Sequence, residues 1–124
     1  MGVSEMGHCI VTSQQFVLSE QQVTSCSTDG GSPGSSDWSF TGSCSNKCTK
    51  KKLSIGTSVS ISGDDTLATA LNTQPVSVSV EAGNSVWQNY QGDVVTQCPG
   101  AQSDHAVIAV GYDGQSYKVR NSCV

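Results

Sequence analysis

A chain of 124 residues that is 35% hydrophobic and 13% charged can bury one modest core, so one domain, or part of one, is expected. Its net charge of −4 and pI near 4.8 argue against a nucleic-acid surface, and the one basic cluster, Lys50, Lys51 and Lys52, reads as a solvated face. No apolar run approaches membrane-spanning length, and six cysteines among many Ser, Thr and Gly residues suit an oxidising, secreted or lysosome-like compartment. The start MGVSEMGHC has neither a charged n-region nor an apolar h-region, so for a secreted protein Met1 is not expected to be the natural beginning.

Residues 1–27 have helical character. The clearest start signal is LSEQQVTSC, where Ser19 can cap a short helix running to about Cys26 and Gln22 can return the bond as in a capping box. STDGGSPGSSDWSFTGSCS, residues 27–45, is dense in turn formers and poor in apolar positions, so it reads as loop, with cysteines as its braces. The organisation changes near residue 50, dividing the chain into 1–50 and 51–124.

In the second part, GDDTLATALN places acidic residues at a helix start and Leu67, Ala70 and Leu71 on one face. This predicts a helix over about 65–72, ended by Pro75. PVSVSVEA alternates strictly, Val76, Val78 and Val80 against Ser77 and Ser79, as a half-buried strand does. HAVIAVGY is apolar on both faces, as an interior strand would be, and YDGQSYKV returns from it through a turn at Asp113 and Gly114. A small antiparallel β unit follows. No internal repeat or heptad pattern is present.

That hairpin has a histidine at its first residue and an asparagine just past its last. With a two-residue turn Asn121 falls opposite Ala106, on the face away from His105. With a three-residue turn and Gly114 in the left-handed conformation, Asn121 falls opposite Val107, on the same face as His105 and diagonal to it. On spacing alone, a strand-end histidine satisfied by backbone or water and an unrelated loop asparagine is the more ordinary reading.

LSEQQVTSC, QPVSVSVEA, WQNYQGDV, DHAVIAVGYD and VRNSC occur in the order and at roughly the spacing found in papain-like cysteine peptidases, the family that includes the cathepsins. The resemblance covers most of residues 15–123. It implies a two-lobed α+β fold, here a partial helical lobe (1–50) plus an antiparallel β-barrel lobe (51–124), with a substrate cleft between the lobes. His105 then matches the catalytic imidazole and Asn121 the asparagine that orients it, which requires an odd-numbered turn at Asp113 or a bulge in the ladder and excludes a plain two-residue turn. A thiol is a poor nucleophile until a neighbouring histidine takes its proton, and that histidine must keep one tautomer and one ring orientation.

The same resemblance makes VSEMGHCIVTSQQF the second half of the family's central helix and the turn after it. The nucleophile would therefore precede Met1, and Cys9, despite its neighbour His8, lies too far along the helix to serve. Gly30 and Gly31 resemble the glycines whose backbone pairs with an extended substrate, though a plain turn reads equally well. Ser79 aligns with a wall of the pocket for the substrate's second residue, and Asp104 and Ala106 flank the histidine. Cys26 and Cys48 match a disulfide of the helical lobe, and Cys98 a cysteine whose partner falls beyond Val124. Cys44 has no counterpart, and Cys123 stands where a tryptophan normally shields the histidine–asparagine bond. Cys44 and Cys48 with His8 and Cys9 fit no standard zinc spacing, so neither a metal nor a cofactor is expected. Peptides or proteins are the implied partners. The implied function is thiol-dependent peptide-bond hydrolysis, and the alternative is a catalytically silent homologue that binds peptides or partners through the cleft.

Overall fold

The computed structural model describes residues 2–26, 44, 53, 55–97, 100 and 102–121. They belong to two compact units, one over Val3–Gly56 and one over Thr57–Val124. Together these contain helices and one antiparallel sheet, an α+β composition as expected.

In the first unit, α1 (Gly2–Thr12) buries His8, whose ring lies 4.9 Å from that of Phe16, centroid to centroid. The helix stops at Ser13, which takes a positive φ of 56° and donates its N–H to Cys9 O at 2.8 Å. The following segment is tied back by Glu5, whose Oε1 accepts the Leu18 N–H at 2.6 Å. Ser19 then caps α2 (Glu20–Cys26), its Oγ accepting the Gln22 N–H at 3.2 Å and satisfying one of the first-turn donors that a helix leaves open.

One expectation is corrected here. Cys26 is bonded to Cys44, not to Cys48, with the two Cα atoms 4.7 Å apart and a separation of 18 positions in sequence. Cys44 and Cys48 are separated by one helical-turn length of chain, so spacing cannot rank them as partners. The path of the loop decides which sulfur comes within reach. Cys48 itself, like Gly30, Gly31, Cys98 and Cys123, lies outside the described residues.

The second unit opens with α3 (Asp64–Leu71). Gly63, at φ 90°, starts it without a side-chain cap, and Asp64 and Asp65 place negative charge in the first turn, where the helix dipole favours it. Leu67, Ala68, Ala70 and Leu71 form the half-buried face. Asn72 is the C-cap, and buried Pro75 leads into β1 (Val76–Val80), whose Val residues are half-buried and whose Ser residues are exposed. A single helical turn, α4 (Ser85–Gln88), separates β1 from β2 (His105–Tyr112) and β3 (Tyr117–Arg120). The sheet order is β1-β2-β3, all antiparallel, with α3 packed on β1 and β2. Where a barrel was expected, the described strands form this three-stranded sheet. β2 takes its middle, and there Val107 (4% exposed) and Ala109 (1%) form the core.

Of the two routes to one face, an odd-numbered turn or a bulge in the ladder, the hairpin takes the second. Tyr112 pairs with Tyr117, leaving a four-residue turn, and Gly111 pairs with Lys118; the ladder then slips by one, so that Ala109 pairs with Val119 and Ile108 with Arg120. Val110 is the extra residue of a β-bulge, at the strand glycine where such irregularities are favoured. A regular ladder from this even-numbered turn would set Asn121 opposite Ile108, on the wrong face. The bulge restores it to the place opposite Val107 that a three-residue turn would have given. Asp113 fixes the turn: its Oδ1 accepts the N–H groups of Gln115 and Ser116 at 2.9 and 2.7 Å, its Oδ2 accepts the Ser116 hydroxyl at 3.0 Å, and Gly114 takes φ 97°.

Candidate active site

His105 is the first residue of β2 and pairs with Val80 of β1; Asn121 follows the last residue of β3. The imidazole Nε2 and the Asn121 Oδ1 are 2.9 Å apart, a good hydrogen-bond distance. Because the carbonyl oxygen can only accept, Nε2 carries the hydrogen, and in the neutral ring the lone pair sits on Nδ1. This is the arrangement in which one ring nitrogen is spent on orientation and the other serves as a base. The pair is wet on one side, with His105 half-buried and Asn121 exposed.

Asp104, immediately before the histidine, does not point its charge at solvent alone. Its Oδ1 accepts the Ala82 N–H at 2.7 Å and its Oδ2 the Gly83 N–H at 2.9 Å, while its own N–H donates to Val80 O at 3.0 Å. The Ala82 amide is the main reason its carboxyl is held below the ordinary carboxylate range; the Gly83 amide and the positive field of His105 add to it, against a desolvation that pushes the other way. Gly83 is needed for this approach, since a Cβ there would run into Asp104 Oδ2.

A cavity of about 500 Å³ opens beside the pair, and His105, Asn121, Asp104, Ala82 and Gly83 line it together with Trp87 and Gln88 of α4. The fold thus brings three of the residues singled out from the sequence, His105, Asn121 and Asp104, to one cavity. Ser79 and Ala106 are brought together too, as a directly opposed exposed pair, but by strand alternation on the other face of the sheet from His105. Trp87 and Gln88 were missed: WQNYQGDV contributed to the resemblance without a role for either. The available signal was Asn84, a favoured cap residue, directly before the helical turn SVWQ.

Cys9 is a free, half-buried thiol on α1. It lies in the second half of that helix, and adjacent helical residues such as His8 and Cys9 do not face each other. Cys44 is committed to its disulfide. No helix among the described residues is long and apolar enough to cross a membrane.

Comparison with known proteins agrees with this geometry. The family described as "Papain family cysteine protease" matches residues 36–122, a span that includes both His105 and Asn121. Similar proteins include the Germination-specific cysteine protease 1 of Arabidopsis thaliana, 34% identical over 91% of this chain and 38% of its own length. The Cysteine proteinase COT44 of Brassica napus is 32% identical over 91% of this chain and 44% of its own length. The Oryzain beta chain of Oryza sativa subsp. japonica is 32% identical over 91% and 31%. The chain spans about a third to under half of the length of these relatives. With most of its sequence matched and its histidine and asparagine bonded across a bulged hairpin, the chain belongs to the papain family of cysteine proteases.

Proposed function

We propose that this chain carries the base half of a papain-type active site, for thiol-dependent hydrolysis of peptide bonds in peptide or protein substrates. The observation that supports it best is the 2.9 Å bond between His105 Nε2 and Asn121 Oδ1. In this reading His105 Nδ1 takes the proton of a cysteine thiol to form the thiolate–imidazolium pair, and the protonated ring then delivers that proton to the leaving amine. Asn121 keeps the tautomer and orientation that both transfers need. Asp104 serves the site by holding the loop beside it, through Ala82 and Gly83, more than by touching substrate. Ser79, Ala106, Gly30 and Gly31 remain candidates for substrate contact, as the family resemblance suggests. The units 1–50 and 51–124 are the partial helical lobe and the β lobe, and the protein works in a secreted or lysosomal/vacuolar setting, as its cysteine usage suggests.

The thiol that His105 serves is a cysteine other than Cys9. The test is labelling of the natively isolated protein with an epoxide that traps papain-type thiolates, followed by mapping of the modified residue. Expected is labelling that spares Cys9 and falls by about 100-fold or more in His105→Ala, the usual contribution of general acid–base catalysis. Label on Cys9 that depends on His105 would refute the assignment. Peptide binding without labelling or hydrolysis would favour the catalytically silent homologue.

A further inference from the structure

The wall of the cavity beside His105 is built by a helix too short to hold itself. α4 is one turn, Ser85–Gln88, and one turn of helix is unstable without outside support because nucleation fixes many dihedrals for few hydrogen bonds. Its support is specific. The Asn84 Oδ1 accepts the N–H groups of Val86 and Trp87 at 3.0 and 3.2 Å, so the backbone of Trp87 is itself tethered. The Asn84 Nδ2 donates to Glu81 O at 3.3 Å and to Glu81 Oε1 at 3.4 Å, and Glu81 Oε2 accepts the Gly100 N–H at 3.0 Å. At the other end the Asn89 side chain donates to Ser85 O at 2.8 Å. Glu81 therefore links the amide that caps α4 to Gly100, 19 residues further along the chain and close to β2 in sequence.

We propose that Asn84 and Glu81 are positioning residues for the His105 pocket: they hold α4 so that Trp87 stands as the apolar wall of the cavity and limits water at the His105–Asn121 bond. The inference rests on reading His105 as the working imidazole. Trp87 is half-buried and is the one large apolar side chain among the described residues that line the cavity. Neither positioning residue touches the imidazole; both act through the placement of Trp87. A hydrogen bond between half-buried and exposed partners competes with water, so its persistence depends on what apolar cover stands nearby.

The experiment uses the 124-residue chain with its other tryptophan removed by Trp38→Phe, leaving Trp87 as the sole tryptophan, excited at wavelengths where the three tyrosines do not absorb. Two signals are read: acrylamide quenching of Trp87, and the population of the Nε2–H tautomer of His105 from imidazole nitrogen NMR. In Asn84→Ala the quenching constant should rise at least about twofold as the turn opens to solvent, and the Nε2–H population should fall. Asn84→Asp combined with Glu81→Gln, which keeps the cap acceptor and exchanges donor and acceptor between the two side chains, should restore both. Unchanged quenching in Asn84→Ala overturns the proposal. A rise that the double variant fails to reverse does the same, because it would reflect general loosening. If Asn84→Ala does not fold by circular dichroism, Glu81→Ala is read against the same two criteria. Because neither signal depends on hydrolysis, both signals as expected together with epoxide labelling of the natively isolated protein that does not depend on His105 would count against the proposed function alone.

Discussion

Asn121 and Gly83 show how single positions carry the site. Asn121 contributes one carbonyl oxygen, and its value lies in selecting which imidazole nitrogen keeps a hydrogen. Gly83 contributes the absence of a side chain, which lets both Asp104 oxygens reach consecutive amides. Gly83→Ala should therefore lower stability by about 1–3 kcal/mol, the usual cost of overpacking, since the added methyl group displaces a carboxylate that two hydrogen bonds hold in place. Gly56→Ala is the matched control, because a Cβ there meets nothing within 4 Å. Urea unfolding of the two variants checks the difference, and equal midpoints would mean that the Asp104 contact yields without cost.

The hairpin and the loop at 81–84 are elements set by parity and by charge. Parity decides which face Asn121 takes. Inserting one alanine between Arg120 and Asn121 leaves every side chain present but should abolish the His105 Nε2–H signature as fully as Asn121→Ala does. Survival of that signature would show that the strand end is too loose for register to matter. Charge decides the response to acid. The Asp113 carboxyl is held below its ordinary value of 3.8 chiefly by the Ser116 amide, then by the Gln115 amide and the Ser116 hydroxyl, and Asp104 is held below 3.8 by Ala82 and Gly83. The folded chain binds these protons more weakly than the unfolded chain. The stability they supply is complete above pH 3.8 and is lost as pH falls below that value, through the depressed folded-state pKa. Amide exchange at Gln115 and Ser116 should accelerate relative to the rest of β3 over that range, and Asp113→Asn should remove this dependence on pH.

For the whole molecule, the Cys26–Cys44 bond braces a unit whose described residues form little apolar core, His8 being the residue that α1 buries. Cys44→Ser should cost about 3 kcal/mol by freeing a loop of this length, whereas Cys9→Ser, a change at a free thiol, should cost less. Denaturant unfolding, with peptide mapping under non-reducing conditions, distinguishes the two; a recovered Cys26–Cys48 peptide would reverse the assignment. Much of the molecule was legible in one dimension, because it rests on local chemistry. The alternation of Val76 to Val80, the cap at Ser19, the acidic start of α3 and the two-faced apolar run of β2 each express a periodicity or a hydrogen bond within a few residues, and the motifs around His105 and Asn121 carried the family. Three things were decided only in the folded chain. Cys44 rather than Cys48 meets Cys26, because disulfide reach depends on the path of a loop that no short-range rule specifies. Val110 bulges so that a four-residue turn still delivers Asn121 to His105, because register is a property of two strands jointly. Trp87 lines the same cavity in a fold where Glu81 and Asp104 join segments some twenty residues apart, and distance along the chain carries no information about such contacts.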